Sequence, residues 1–213
     1  VFKRDFVPLL KNLPLPLDKG KGIKGIGSII TLLIGGAGSG KSRFAQELAL
    51  KLGGEVLFVA TATPGDEEML KRIDQHKKKR PPAWRTLEVT TGVGKKISEK
   101  INGARVVIID CITLLVNNIF SQYSDQTGEP SDIPLIEKGL DAEIEGLIGC
   151  TRRLEAHFII VSNEVGLGLV PPNRLGRLYR DLLARANQKL AEAADEVYLM
   201  VAGIGVPIKP APK

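Results

Sequence analysis

Residues 29–52 set a short aliphatic run, a glycine-rich turn and an amphipathic helix end to end, and no other stretch of the chain constrains the fold as strongly. Residues 29–34 are β-branched and aliphatic without alternation, the pattern of a strand buried on both faces. Gly35-Gly36-Ala37-Gly38-Ser39-Gly40-Lys41-Ser42 follows and matches G-x-x-x-x-G-K-[ST]. Residues 42–52 then carry Phe44, Leu48 and Leu52 at i, i+4 and i+8, with Ala45 and Ala49 beside them, until Gly53-Gly54 stops the helix. In a strand–turn–helix of this kind, successive backbone N–H groups converge on phosphate oxygens and the positive end of the helix adds to them. Lys41 is placed to reach the β- and γ-phosphates, and Ser42 to ligate Mg²⁺.

The rest of the chain repeats the alternation. Residues 55–60, 85–89, 105–110 and 157–162 read as strands, and 66–77, 94–102, 113–120, 134–155 and 174–194 as helices. Residues 196–201 and 206–208 read as two final strands around Gly203-Ile204-Gly205. Residues 121–133 form a polar connection that reads as a mobile loop. Strands alternating with helices predict an α/β fold: a mostly parallel sheet with helices on both faces and an antiparallel edge made by the last two strands.

Composition narrows the function classes. At 213 residues and 43% hydrophobic, the chain suits one core rather than two. No stretch reaches the roughly 18 apolar residues of a membrane span. Cys111 and Cys150 have no C-x-x-C partner, which excludes a disulfide scaffold or a cysteine zinc site and makes a reducing, cytoplasmic setting the expectation. With only His76 and His157, a histidine metal cluster is not expected, whereas Mg²⁺ on oxygen ligands stays open. The net charge of +6 invites a nucleic-acid partner, but residues 1–28 hold six basic residues against Asp5 and Asp18. Most of the excess therefore belongs to a Pro/Gly/Lys-rich leader, and nucleic acid is not the expected partner. Residues 1–28 read as an extension, flexible or a basic docking arm, ahead of a single domain over 29–213.

Asp110 ends the hydrophobic strand 105–110, the position from which a carboxylate orients Mg²⁺ directly or through water. The chain has no N-K-x-D for guanine, Asp110-Cys111-Ile112-Thr113 is not D-x-x-G, and there is no L-S-G-G-Q. Those gaps exclude a signalling GTPase and an ABC ATPase. Two readings remain from the residues alone: a monofunctional P-loop kinase of a small metabolite, and a non-catalytic nucleotide-dependent nucleic-acid binder using the leader.

An ordered set of segments adds a third reading through a family resemblance. After the phosphate loop come Ala60-Thr61-Ala62, Arg72-Ile73-Asp74-Gln75-His76-Lys77, Arg80-Pro81 and Trp84-Arg85-Thr86. Asp110-Cys111-Ile112-Thr113 is followed by Ser162-Asn163-Glu164-Val165-Gly166-Leu167-Gly168, and then by Asn173-Arg174, Tyr179-Arg180-Asp181, Asn187-Gln188 and Gly203-Ile204-Gly205-Val206. Over about residues 29–209 the chain resembles the bifunctional adenosylcobinamide kinase/adenosylcobinamide-phosphate guanylyltransferases of cobalamin biosynthesis. The resemblance implies a RecA-like P-loop fold and a homotrimer. It implies that ATP or GTP phosphorylates adenosylcobinamide, and that GTP then guanylylates a histidine with release of pyrophosphate. GMP finally passes to adenosylcobinamide phosphate, giving adenosylcobinamide-GDP.

The same resemblance puts the guanylylated histidine at His76, nucleotide contacts at Ala60, Thr61, Ala62, Lys77, Lys78, Lys79, Arg80 and Glu88, and catalytic phosphate positioning at Lys41. An imidazole suits the role, being a nucleophile near neutral pH that also leaves from a phosphoramidate. By spacing alone, Met69, Ile73 and His76 share one stripe of helix 66–77, which reads as a packed histidine. Unaided, residues 77–80 read as a solvated charge run and Glu88 as a surface acid. His157 matches no functional position and reads as structural, and Asn163 and Glu164 fall at a strand end facing the corrinoid side. Gly38 stands where many relatives carry arginine, and Gln75 where some carry a second histidine.

Overall fold

The structure, a computed structural model, describes residues 27–63, 65, 67–78, 80–124, 130 and 132–210, without the side chains of Glu68, Met69 and Arg72. Nearly all of the leader, Lys79 and much of the connection 121–133 therefore lie outside the described residues. Seven strands form one sheet in the order β3-β2-β4-β5-β1-β6-β7. They are β1 (Ile29–Gly35), β2 (Val56–Ala60), β3 (Arg85–Glu88), β4 (Val106–Asp110), β5 (His157–Asn163), β6 (Glu196–Val201) and β7 (Ile204–Lys209). All neighbours pair in parallel except β6 with β7. This is the expected α/β sheet with an antiparallel edge. β5 is inserted between β1, which feeds the phosphate loop, and β4, which ends in Asp110.

The helices are α1 (Lys41–Leu52), α2 (Glu67–Lys78), α3 (Val93–Lys100), α4 (Ile112–Gln122), α5 (Ile133–Arg153) and α6 (Arg174–Ala193). Phe44, Ala45, Leu48 and Ala49 of α1 pack with Leu33, Phe58, Ile108, Ile159 and Tyr198 on one face of the sheet. The larger core lies on the other face, where Leu32, Val107, Ile109, Phe158 and Ile160 meet α3 through α6. The central strands are covered on both faces, which is why their sequences are unbroken aliphatic runs. The α3–α5 crossing is close because both sides are glycine: a Cβ on Gly94 would lie 2.4 Å from the Gly146 carbonyl oxygen. Glu143 of α5 accepts from Gly92 N and Val93 N, both at 2.7 Å, supplying the cap that α3 lacks in its own sequence.

β7 is longer than the run 206–208 read from the sequence. Pro207 cannot donate to a ladder, and an edge strand tolerates it.

Candidate active site

Parallel register lines up the chemistry along the carboxyl edge of the sheet. Glu88 of β3 stands opposite Ala60 of β2, Ala60 opposite Asp110 of β4, and Asn163 of β5 opposite Gly35 of β1. Open α/β sheets collect ligands at this edge.

The phosphate loop runs from Gly35 to Ser42. Gly35 must be glycine, because a Cβ there would lie 2.5 Å from the Met200 carbonyl oxygen. Gly40 has φ of 94° as it turns into α1, the left-handed region that glycine enters without strain. The loop is braced from a distant part of the chain: Gly203, in the β6–β7 turn, donates its N–H to Ser39 O at 2.9 Å. Lys41 is buried and its Nζ donates to Gly35 O at 2.9 Å and Gly36 O at 2.7 Å, folded across the mouth of its own loop. Burial pulls its pKa down, against the opposing pull of Cys111 and Asp110.

Asp110 is held above the usual carboxylate range by desolvation, while a hydrogen bond from Ser42 and the nearby His76, Arg80 and Lys41 act in the opposite direction. A hydroxyl and a carboxylate thus converge beside the loop. They form a hard oxygen donor pair that fits Mg²⁺, an ion that takes one or two protein oxygens and completes its shell with water and phosphate. No cluster of three or more His, Cys, Asp and Glu able to hold a metal occurs among the described residues, so a metal here would lean on its substrate. Next door, burial and then the Asp110 charge push the Cys111 thiol up to about 11, which favours the thiol over the thiolate.

His76 is exposed on α2 and sits close enough to Asp110 to act on it electrostatically. The stripe that spacing assigned to a core face is uncovered at this position; its Met69 member lies outside the described side chains. Lys77 pairs with Glu88 at 2.6 Å, joining the end of α2 to β3. Arg80 lies 3.8 Å from the centroid of the Phe58 ring, a cation–π contact, and its buried Nε has no hydrogen-bond partner among the described residues. Burial draws Arg80 down in pKa, with Asp110 and then Glu88 opposing. Lys77, Arg80, Pro81, Pro82, Trp84, Thr86 and Glu88 line an open cavity of about 350 Å³. Lys78 is exposed.

Thr61 and Ala62 follow β2, and Thr61 is fully buried. Its hydroxyl donates to Cys111 O at 2.6 Å and accepts from Cys111 N at 2.9 Å, so it locks the chain immediately after Asp110. Asn118 of α4, unremarked in the sequence, donates to Thr61 O at 2.8 Å and Thr90 O at 3.0 Å and ties the ends of β2 and β3 together. A single asparagine in an amphipathic helix gives no signal of such a bridge. Asn163 ends β5 and Glu164 follows it, at the strand's carboxyl end as expected. Asn163 N donates to Thr113 Oγ1 at 2.9 Å, and Asn187 reaches Asn163 O at 2.9 Å. His157 is at the opposite end of the sheet, bonded to Thr31 Oγ1 at 2.8 Å.

Residues 31–208 match the CobU family, described as cobinamide kinase / cobinamide phosphate guanyltransferase. The chain is 42% identical over 182 residues to the bifunctional adenosylcobalamin biosynthesis protein CobU of Escherichia coli (strain K12), covering 85% of this chain and 100% of that protein. The Salmonella typhimurium protein of the same description matches at 42% over 182 residues, with the same coverage of 85% and 100%. CobP of Pseudomonas aeruginosa is 38% identical over 181 residues, 85% of this chain and 98% of that protein.

Proposed function

The chain belongs to the cobinamide kinase / cobinamide phosphate guanyltransferase family, and on that premise we propose how its residues divide two successive reactions. The enzyme is bifunctional: a kinase toward cobinamide and a guanylyltransferase toward cobinamide phosphate. In the first reaction ATP or GTP binds with its phosphates in the loop 35–42, Lys41 turning from Gly35 and Gly36 onto the β- and γ-phosphates. Ser42 and Asp110 would hold Mg²⁺, which supplies charge neutralisation at the phosphates. The loop's N–H groups hold the triphosphate while the hydroxyl of adenosylcobinamide approaches.

In the second reaction a ring nitrogen of His76 attacks the α-phosphorus of GTP. The bond to the β-phosphate oxygen breaks, pyrophosphate leaves, and GMP stays on the histidine. A phosphate oxygen of adenosylcobinamide phosphate then attacks the same phosphorus, releasing His76 and giving adenosylcobinamide-GDP. Lys77, Lys78, Lys79 and Arg80 offset the triphosphate charge. Glu88 accepts hydrogen bonds from guanine N1–H and N2–H₂ beside Trp84. The observation that carries the reading is the exposed His76 within electrostatic reach of Asp110, at the same edge as the phosphate loop. Further copies of the chain, three in the assembly, would cover Val201, Ile204, Val206 and Ile208, apolar and exposed on the terminal hairpin. The two free cysteines suit a cytoplasmic setting.

Incubation with GTP labelled at the α-phosphate should leave label on the protein, acid-labile and base-stable, while γ-labelled GTP should leave none. His76→Ala should abolish labelling and spare phosphorylation of adenosylcobinamide, with His157→Ala still labelled. Normal labelling of His76→Ala would put the guanylylated residue elsewhere, and no labelling of the unaltered protein would refute the covalent intermediate.

A further inference from the structure

Glu164 is a carboxylate at the substrate edge to which neither reaction above gives a task. It follows β5, the strand between the phosphate-loop strand and the Asp110 strand. Its N–H donates to Gly35 O at 2.9 Å, and the same carbonyl accepts from Lys41 Nζ at 2.9 Å. Its main chain is therefore pinned two hydrogen bonds from the ammonium that grips the transferred phosphoryl group. The side chain is partly exposed, and one oxygen, Oε1, accepts from Gly166 N at 2.5 Å. Gly166 leaves room for that bond and for little else, since a Cβ there would lie 2.8 Å from Oε1. The other oxygen remains for a donor. Of the acids along this edge, Asp110 is engaged by Ser42 and Glu88 by Lys77, whereas Glu164 pairs with no described cation. Beyond it the chain exposes Leu167 by 83% and Leu169 by 97%, an apolar rim suited to the periphery of a large macrocycle.

We propose that Glu164 is a catalytic residue of the phosphorylation step, accepting the proton of the acceptor hydroxyl on its second carboxylate oxygen. The hydroxyl oxygen bonds to the γ-phosphorus as the bond from that phosphorus to the β,γ-bridging oxygen breaks. The nucleoside diphosphate leaves, and the proton passes to Glu164 and then to water. Guanylylation of His76 uses a nitrogen nucleophile and no hydroxyl, so it gives Glu164 nothing to do. The inference rests on the two-step reading above.

The test uses the full chain in two single-turnover assays: phosphoryl transfer from γ-labelled nucleotide to adenosylcobinamide, and self-labelling from α-labelled GTP. Glu164→Gln should lower the phosphorylation rate about 10²- to 10⁴-fold, the range for a lost general base, with self-labelling retained. Glu164→Asp should recover part of the loss. Phosphorylation by Glu164→Gln within about threefold of the unaltered protein, far short of a lost base, would overturn the assignment. So would an equal fall in self-labelling, which would mark a disturbed phosphate loop instead. An unaltered protein that self-labels but does not phosphorylate adenosylcobinamide would refute the two-step reading itself, and this inference with it.

Discussion

His157→Gln should change how the protein's stability depends on pH, and the size of the change follows from where the ring sits. His157 opens β5, and its Nε2 meets Thr31 Oγ1 at 2.8 Å; that hydroxyl also donates to Glu196 Oε2 at 3.3 Å across the sheet. Burial disfavours the imidazolium and pushes its pKa down to about 4 from 6.5, although Asp195 pulls the other way. A group whose charged form is the protonated one, with a depressed folded pKa, stabilises the fold fully above 6.5 and loses that contribution as pH falls toward 4. Between those values the unfolded chain binds the extra proton, so stability rises with pH. Two and a half pH units correspond to about 3 kcal/mol, most of it lost between pH 7 and pH 4. Glu196 and Asp110, whose pKa values burial raises, contribute slopes of the opposite sign. The quantity to read is therefore the difference between the two proteins. Gln keeps a donor near the Nε2 position and does not titrate. Urea unfolding at pH 7, 6 and 5 should show the variant gaining on the unaltered protein by about 2 kcal/mol over that range. Parallel stability curves would refute the argument that the ring is held neutral by burial.

Lys41→Ala should reduce phosphorylation of adenosylcobinamide roughly 10²-fold or more, the scale of a lost electrostatic clamp on a transferring phosphoryl group. Steady-state rates at saturating nucleotide check it, and near-normal turnover would refute the phosphate-loop role. Gly94→Ala should destabilise the fold by about 1–3 kcal/mol, because the new methyl meets the Gly146 carbonyl at a helix crossing that cannot open without moving α5 off the core. Thermal unfolding measures that cost.

The strand, loop and helix over residues 29–52 were legible because every signal in them is short-range. Aliphatic β-branching, the spacing of glycines and the i, i+4 stripe each depend on neighbours a few positions away. For the same reason Asp110 could be placed at the end of a strand. His76 shows where such reading stops. Its stripe says which side of α2 is apolar, not whether anything covers that side, and the ring lies exposed. Thr61 could be grouped with nucleotide contacts by resemblance, yet its hydroxyl is enclosed by the main chain of Cys111, fifty positions along the chain. Asn118, Gly203 and the Lys77–Glu88 pair likewise act across long separations. What tertiary structure alone decided was strand order. Parallel strands are joined by crossovers that carry no record of which neighbour they will pair with, so no local pattern along the chain puts β5 between β1 and β4. That placement is what brings Glu164 to the phosphate loop and aligns Glu88, Asp110 and Gly35 along one edge.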